Sequence, residues 1–201
     1  MAIADDIAKA KNLEALNSKI NALQEQMKEA QTSFVQKETQ LTKKMDEEIK
    51  ELFKNGLNNP EIIVESKNDI ITGKCGSNLA YSLKISEKER ILSRKLDAKE
   101  EAYKFRYTFS VHLTGYHGRT LRGTETEEEI KNIDITSMES YLGYCNKTMA
   151  ELESKGIQIE YFQMDTRELI FSSMSKKEME SEDEKKYRTI TIKGLLHLIG
   201  I

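Results

Sequence analysis

An apolar residue at every seventh position limits what this chain can fold into more than any other feature. Leu13, Ile20, Met27, Phe34 and Leu41 lie seven apart, and Leu16, Leu23 and Ala30 follow three residues behind them. These are the a and d positions of a heptad, held for about four heptads. On a helix of 3.6 residues per turn they form one narrow seam, which a lone helix cannot bury.

The flanking residues agree with a helix. No Gly or Pro occurs between Met1 and Asn55, and Asp5 and Asp6 sit at the positive end of the helix dipole. Asn55-Gly56 supplies a stop, and Pro60 bars continuation. The spacing predicts a coiled-coil helix over 1–57, about 75 Å long. Leu13, Leu16, Ile20, Leu23, Met27, Ala30, Phe34 and Leu41 are the expected oligomer interface, with a second copy or a coiled-coil partner protein. Two other arrangements would also cover the seam: the helix lying on its own domain, or a helical hairpin broken near Thr32-Ser33. After Leu41 the apolar residues are Met45, Ile49, Leu52 and Phe53. That stutter predicts that the last turns leave the zipper and pack on the body of the protein.

The rest of the 201 residues, 58–201, is long enough to bury a core of its own. Glu61 to Thr72 reads as a strand pair or a bent strand, and Gly73 to Asn78 as a loop. Leu79, Tyr81, Leu83 and Ile85 alternate with smaller or polar residues, a half-buried strand. Ser86-Glu87-Lys88-Glu89 fits a capping box that opens a helix to about Glu101. A charged β-hairpin over the same residues is the alternative. Tyr103, Phe105, Tyr107, Phe109, Val111 and Leu113 then alternate with polar residues, predicting one long strand with an apolar and a polar face.

Gly115 to Thr126 reads as a loop, the run from Glu125 to Glu129 as a solvated acidic stretch, and Ile133-Asp134-Ile135 as a short strand. Thr136 is the expected cap of a helix that ends at Gly156, with Met138, Tyr141, Leu142, Cys145, Met149 and Leu152 on one face. Ile157 to Met164 and Glu168 to Met174 form an expected hairpin, followed by an exposed loop or short helix over Lys176 to Lys186. Tyr187 to Lys193 is an expected last strand, and the apolar terminus from Leu195 should be docked. The fold class is therefore α+β: the N-terminal helix, then a mainly antiparallel sheet with one or two packed helices.

Chemistry is sparse. His112, His117 and His197 stand at no standard zinc spacing from Cys75 or Cys145, so no metal or other cofactor is expected. No nucleophile elbow, phosphate-binding glycine loop or acid/base pair is legible. No apolar run reaches membrane-span length, and two cysteines make no disulfide framework, which suits a cytoplasmic protein. The chain reads as a non-catalytic protein-interaction or assembly module, an adaptor, inhibitor or particle subunit that oligomerises through its helix. The alternative is a dimeric nucleic-acid-binding protein. There Lys104, Arg106, His112, His117, Arg119 and Arg122 would follow phosphates and Tyr116 would stack a base. A net charge of −3 gives that alternative no global support.

Overall fold

The computed structural model describes residues 2–164 and 187–201. One unbroken helix, α1, spans Ala2–Gly56, so no hairpin forms at Thr32-Ser33. Seven strands follow: β1 (Ile63–Lys67), β2 (Ile70–Cys75), β3 (Leu79–Ile85), β4 (Arg90–Leu96), β5 (Lys99–Phe109), β6 (Ile157–Gln163) and β7 (Arg188–Ile190). Helices α2 (Glu127–Lys131) and α3 (Ile135–Lys155) lie between β5 and β6 in the chain, and α4 (Ile192–His197) follows β7. The strands form one antiparallel sheet in chain order, from β1 at one edge to β7 at the other. The α+β class expected from the sequence is the class observed.

The chain divides into two compact units. The first comprises Met1–Thr39 and Val111–Gly156, the second Gln40–Ser110 and Ile157–Ile201. Each has its own core. In the sheet unit, Ile71, Leu83, Ile85, Leu92, Tyr103, Phe105 and Ile159 pack against Ile49 and Phe53 of α1 and Leu57 just beyond its end. Leu195, Leu196 and Ile199 complete that core, so the apolar terminus is docked and the turns of α1 after Leu41 serve the sheet, as the stutter predicts. Antiparallel partners share a face, and every strand residue of this core lies on the same face of the sheet. Gly56 is required here, because a Cβ on it would fall 1.8 Å from Ile201 Cγ2.

In the other unit the heptad seam finds its cover within the chain. Ile20, Leu23 and Met27 form one buried cluster with Ile130, Ile133 and Met138, and Leu13, Leu16, Tyr116, Tyr141 and Leu142 pack around it. Burial of each large side chain stabilises the unit by about 1.5–3 kcal/mol. The helix face expected between 136 and 156 is observed: Met138, Cys145 and Leu152 are buried.

Several local expectations are corrected. Residues 86–101 form the hairpin and not the helix. Ser86 N donates to Glu89 O (3.0 Å) and Glu89 N to Ser86 Oγ (3.2 Å), so the capping-box residues close the turn between β3 and β4. Cys75 belongs to β2, not to the loop. The long strand ends at Phe109, where pairing with β6 ends at Ile157. Asp134, not Thr136, caps α3: its carboxylate accepts from Ser137 N (3.1 Å) and Ser137 Oγ (2.6 Å), leaving no strand at 133–135. The acidic run leads into α2 and supplies its first turn, capped by a reciprocal box between Thr126 and Glu129. The last strand stops at Ile190, because Thr191 caps α4. Ile157–Gln163 is the expected strand, while its proposed partner from Glu168 to Met174 and the segment Lys176 to Lys186 lie outside the described residues.

Candidate functional site

The seam residues come first. Ile20, Leu23, Met27 and Phe34 are buried, and Leu13, Leu16, Ala30 and Leu41 half-buried. Polar contacts fasten the same stretch to its own unit. Gln31 Nε2 donates to Tyr141 Oη (2.8 Å), Gln24 Nε2 to Leu121 O (3.1 Å), and Lys19 and Lys37 pair with Glu139 and Glu153 at 2.8 Å each. The cover is α3 and the segment leading to it, the arrangement of a helix lying on its own domain.

The expected nucleic-acid residues are divided. Lys104 and Arg106 belong to the sheet unit, whereas His112, Tyr116, His117, Arg119 and Arg122 belong to the helical unit. Since β5 ends before His112, no continuous strand face joins them. Arg119 pairs with Glu129 at 2.6 Å, and Tyr116 packs on Tyr141 with ring centroids 5.3 Å apart. Arg122 offers its backbone N–H to Glu125. Tyr144 Oη donates to His112 O (3.0 Å) and Tyr141 Oη to Thr114 O (2.7 Å), so two tyrosines of α3 hold the start of this segment.

Sequence reading missed the most polar cluster of the sheet unit. Asp46 of α1 accepts from Arg90 Nε (2.7 Å) and Nη2 (2.9 Å), and from Tyr107 Oη (2.6 Å). The Arg90 guanidinium also lies 4.4 Å from the Tyr107 ring centre. Burial, then the hydrogen bond to Asp46, pushes the Tyr107 phenol far above its ordinary range. A phenol held neutral and a carboxylate that accepts three hydrogen bonds form a clamp between α1 and strands β4 and β5. The phenol is not poised to give up its proton at neutral pH.

Other features are surface features. An open apolar groove of about 590 Å³ is lined by Leu52, Gly56, Lys193, Leu196, His197 and Ile201, among others. Among the described residues no three of His, Cys, Asp or Glu converge as metal ligands, and no helix is long and apolar enough to cross a membrane. At the β1 edge all five strand residues are exposed, with Ile63 at 69% and Val64 at 41%, and Ile70 on the next strand at 39%. No protein-family model, curated protein or solved structure matches this chain.

Proposed function

We propose that the chain is a non-catalytic interaction and assembly module, and that the β1 edge is the surface it presents to a protein partner. The observation that carries this reading is the exposure of Ile63 and Val64 on the outermost strand of an open sheet. Alternate backbone N–H and C=O groups of such a strand point away from the sheet and accept an added strand.

Charge narrows the occupant. If β1 pairs with β1 of a second copy over its full length, Glu65 opposes Glu65, which disfavours that dimer. The occupant is therefore an extended segment of another protein, with a cation opposite Glu65 and β-branched residues beside it. The clamped state of Asp46, Arg90 and Tyr107 supports the non-catalytic half of the reading, since these three groups are bonded to one another.

The test uses a labelled synthetic peptide of alternating Val and Thr with a central Lys, titrated by fluorescence anisotropy. The Lys peptide should bind the full chain several-fold more tightly than its Glu twin, and Val64→Pro should abolish the binding. Equal binding of both peptides, or full binding to Val64→Pro, would sink the edge reading. Light-scattering mass of the same samples addresses assembly. Because the seam is covered by α3, the mass should not change in Leu13→Lys/Leu16→Lys, whose residues lie at the rim of the cluster. A multimer that dissociates in this variant would return assembly to the seam.

A further inference from the structure

The outer face of the sheet, opposite the core, carries an ordered set of side chains that the core does not use. Register fixes three rows on it. Ile70, Lys84, Ile91, Lys104 and Phe162 are successive cross-strand partners from β2 to β6. Beside them run Thr72, Ser82 and Ser93, half-buried, up to Ala102, which is fully buried, and then Lys74, Ala80, Lys95 and Glu100. The middle row is low and hydroxyl-bearing, with Ser82 Oγ 2.8 Å from Ser93 Oγ. It forms a shallow trough between two rows that hold lysines.

The charge on this face leans positive. Lys84 is paired with Glu89, and Arg106 with Glu160 at 3.0 Å. Lys67, Lys74, Lys95 and Lys104 take part in no salt bridge among the described residues, against Glu65 and Glu100. Strands are about 4.8 Å apart, so Lys74 and Lys95, two strands apart, stand roughly 10 Å from one another, as do Lys84 and Lys104. At that spacing each flexible lysine stem can carry its charge to a separate phosphate. Aromatic groups close the far end. Phe162 meets Tyr187 edge to face, with ring centroids 5.0 Å apart, and the Arg106 guanidinium lies 3.8 Å from the Tyr187 ring centre.

We infer that this outer face binds single-stranded nucleic acid, its lysine rows following the phosphates and Phe162 stacking a base. Cations on both sides of a shallow trough, with an aromatic ring at the end of one flanking row, match the requirements of such a ligand. A duplex has its bases stacked away from a flat platform. The inference does not depend on the β1 edge, and it uses only Lys104 and Arg106 of the residues first expected to contact nucleic acid.

The test titrates the full chain into labelled single-stranded oligonucleotides, with a duplex of the same sequence and heparin as competitors. Affinity should be roughly micromolar at low salt and fall roughly 10- to 30-fold between about 50 and 200 mM salt, the slope for about three phosphate contacts. Lys74→Glu/Lys95→Glu should weaken binding at least tenfold, and Phe162→Leu about tenfold, with circular dichroism melts unchanged. Lysine acetylation footprinting on the unaltered chain gives an independent reading, with protection expected at Lys74, Lys95 and Lys104. The inference is overturned by absence of binding at low salt, by duplex or heparin competing as well as the single strand while Phe162→Leu binds normally, or by protection confined to Lys9, Lys11 and Lys19.

Discussion

Asp46 is a single carboxylate on which three elements depend. Its side chain is 14% exposed and that of Arg90 16%, so water screens the pair poorly. Asp46→Ala would leave a guanidinium and a phenol without their acceptor and should cost about 3–5 kcal/mol, read as a shift in the urea midpoint. Tyr107→Phe removes one hydrogen bond to a charged group and should cost roughly 1.5–3 kcal/mol. In the double variant the two losses should not add, because the acceptor is shared. Additive losses would show that the three groups do not act as one clamp. This cluster also explains a failure of sequence reading. Strand β4 places Arg90 and Arg94 on its core side beside Leu92 and Leu96, as their pairing with core-facing β3 and β5 residues requires. A strand whose inward positions alternate cation and leucine has no readable period, so the capping box tips the sequence reading to a helix from Ser86, with the hairpin as the alternative. The Ser86 and Glu89 pair misled for a related reason: a hydroxyl that accepts from an N–H three residues on closes a hairpin turn as well as it opens a helix.

At the scale of elements, caps decide how the short helices begin. Glu129 and Asp134 are held below the ordinary carboxylate range, Glu129 first by the Thr126 backbone N–H and Asp134 first by the Ser137 hydroxyl. A depressed folded-state value means that the stabilisation is complete above the ordinary values near 4.5 and 3.8 and is lost as pH falls through the folded values. The urea midpoint of the helical unit should therefore drop between about pH 5 and pH 3. Asp134→Asn keeps a capping oxygen without the titration and should flatten part of that drop. A variant whose midpoint falls as steeply as that of the unaltered chain would show that the Asp134 cap contributes nothing to the acid sensitivity. Strong periodicity was legible at this scale. The seam of α1, the alternation of β3 and the apolar face of α3 were all readable and all present. Strand ends were not, because alternation reports which side of a segment is buried and says nothing of whether a neighbouring strand is there to pair. Val111 and Leu113 continue the pattern of β5 as half-buried residues beyond its last partner.

At the scale of the whole molecule, one chain builds two cores, and α1 contributes to both. Unfolding should follow the cores separately. Ile20→Ala should cost about 2–5 kcal/mol and accelerate hydrogen exchange in α3, whereas Leu92→Ala should do so in β3 to β5. Uniform acceleration throughout the chain by either change would mean that the two units unfold as one. The sequence showed that the seam needed a cover but not which one, since apolar periodicity is the same whether a second chain or a later helix supplies it. The candidate basic face failed similarly: residues 104 to 122 are neighbours in the chain, yet the boundary between the units falls after Ser110. The rows of the outer face were invisible, because cross-strand neighbours come from strands whose register no local pattern reveals. The separation between seam and cover has a consequence during synthesis. Gln24 meets Leu121 across 97 positions and Gln31 meets Tyr141 across 110. At about 5–20 residues per second, the stripe on α1 leaves the ribosome roughly 5 to 20 seconds before its cover is made. During that interval every nascent copy on a polysome displays the same bare heptad stripe to its neighbours, so holding nascent chains apart matters more for this protein than for one whose helices meet as they emerge.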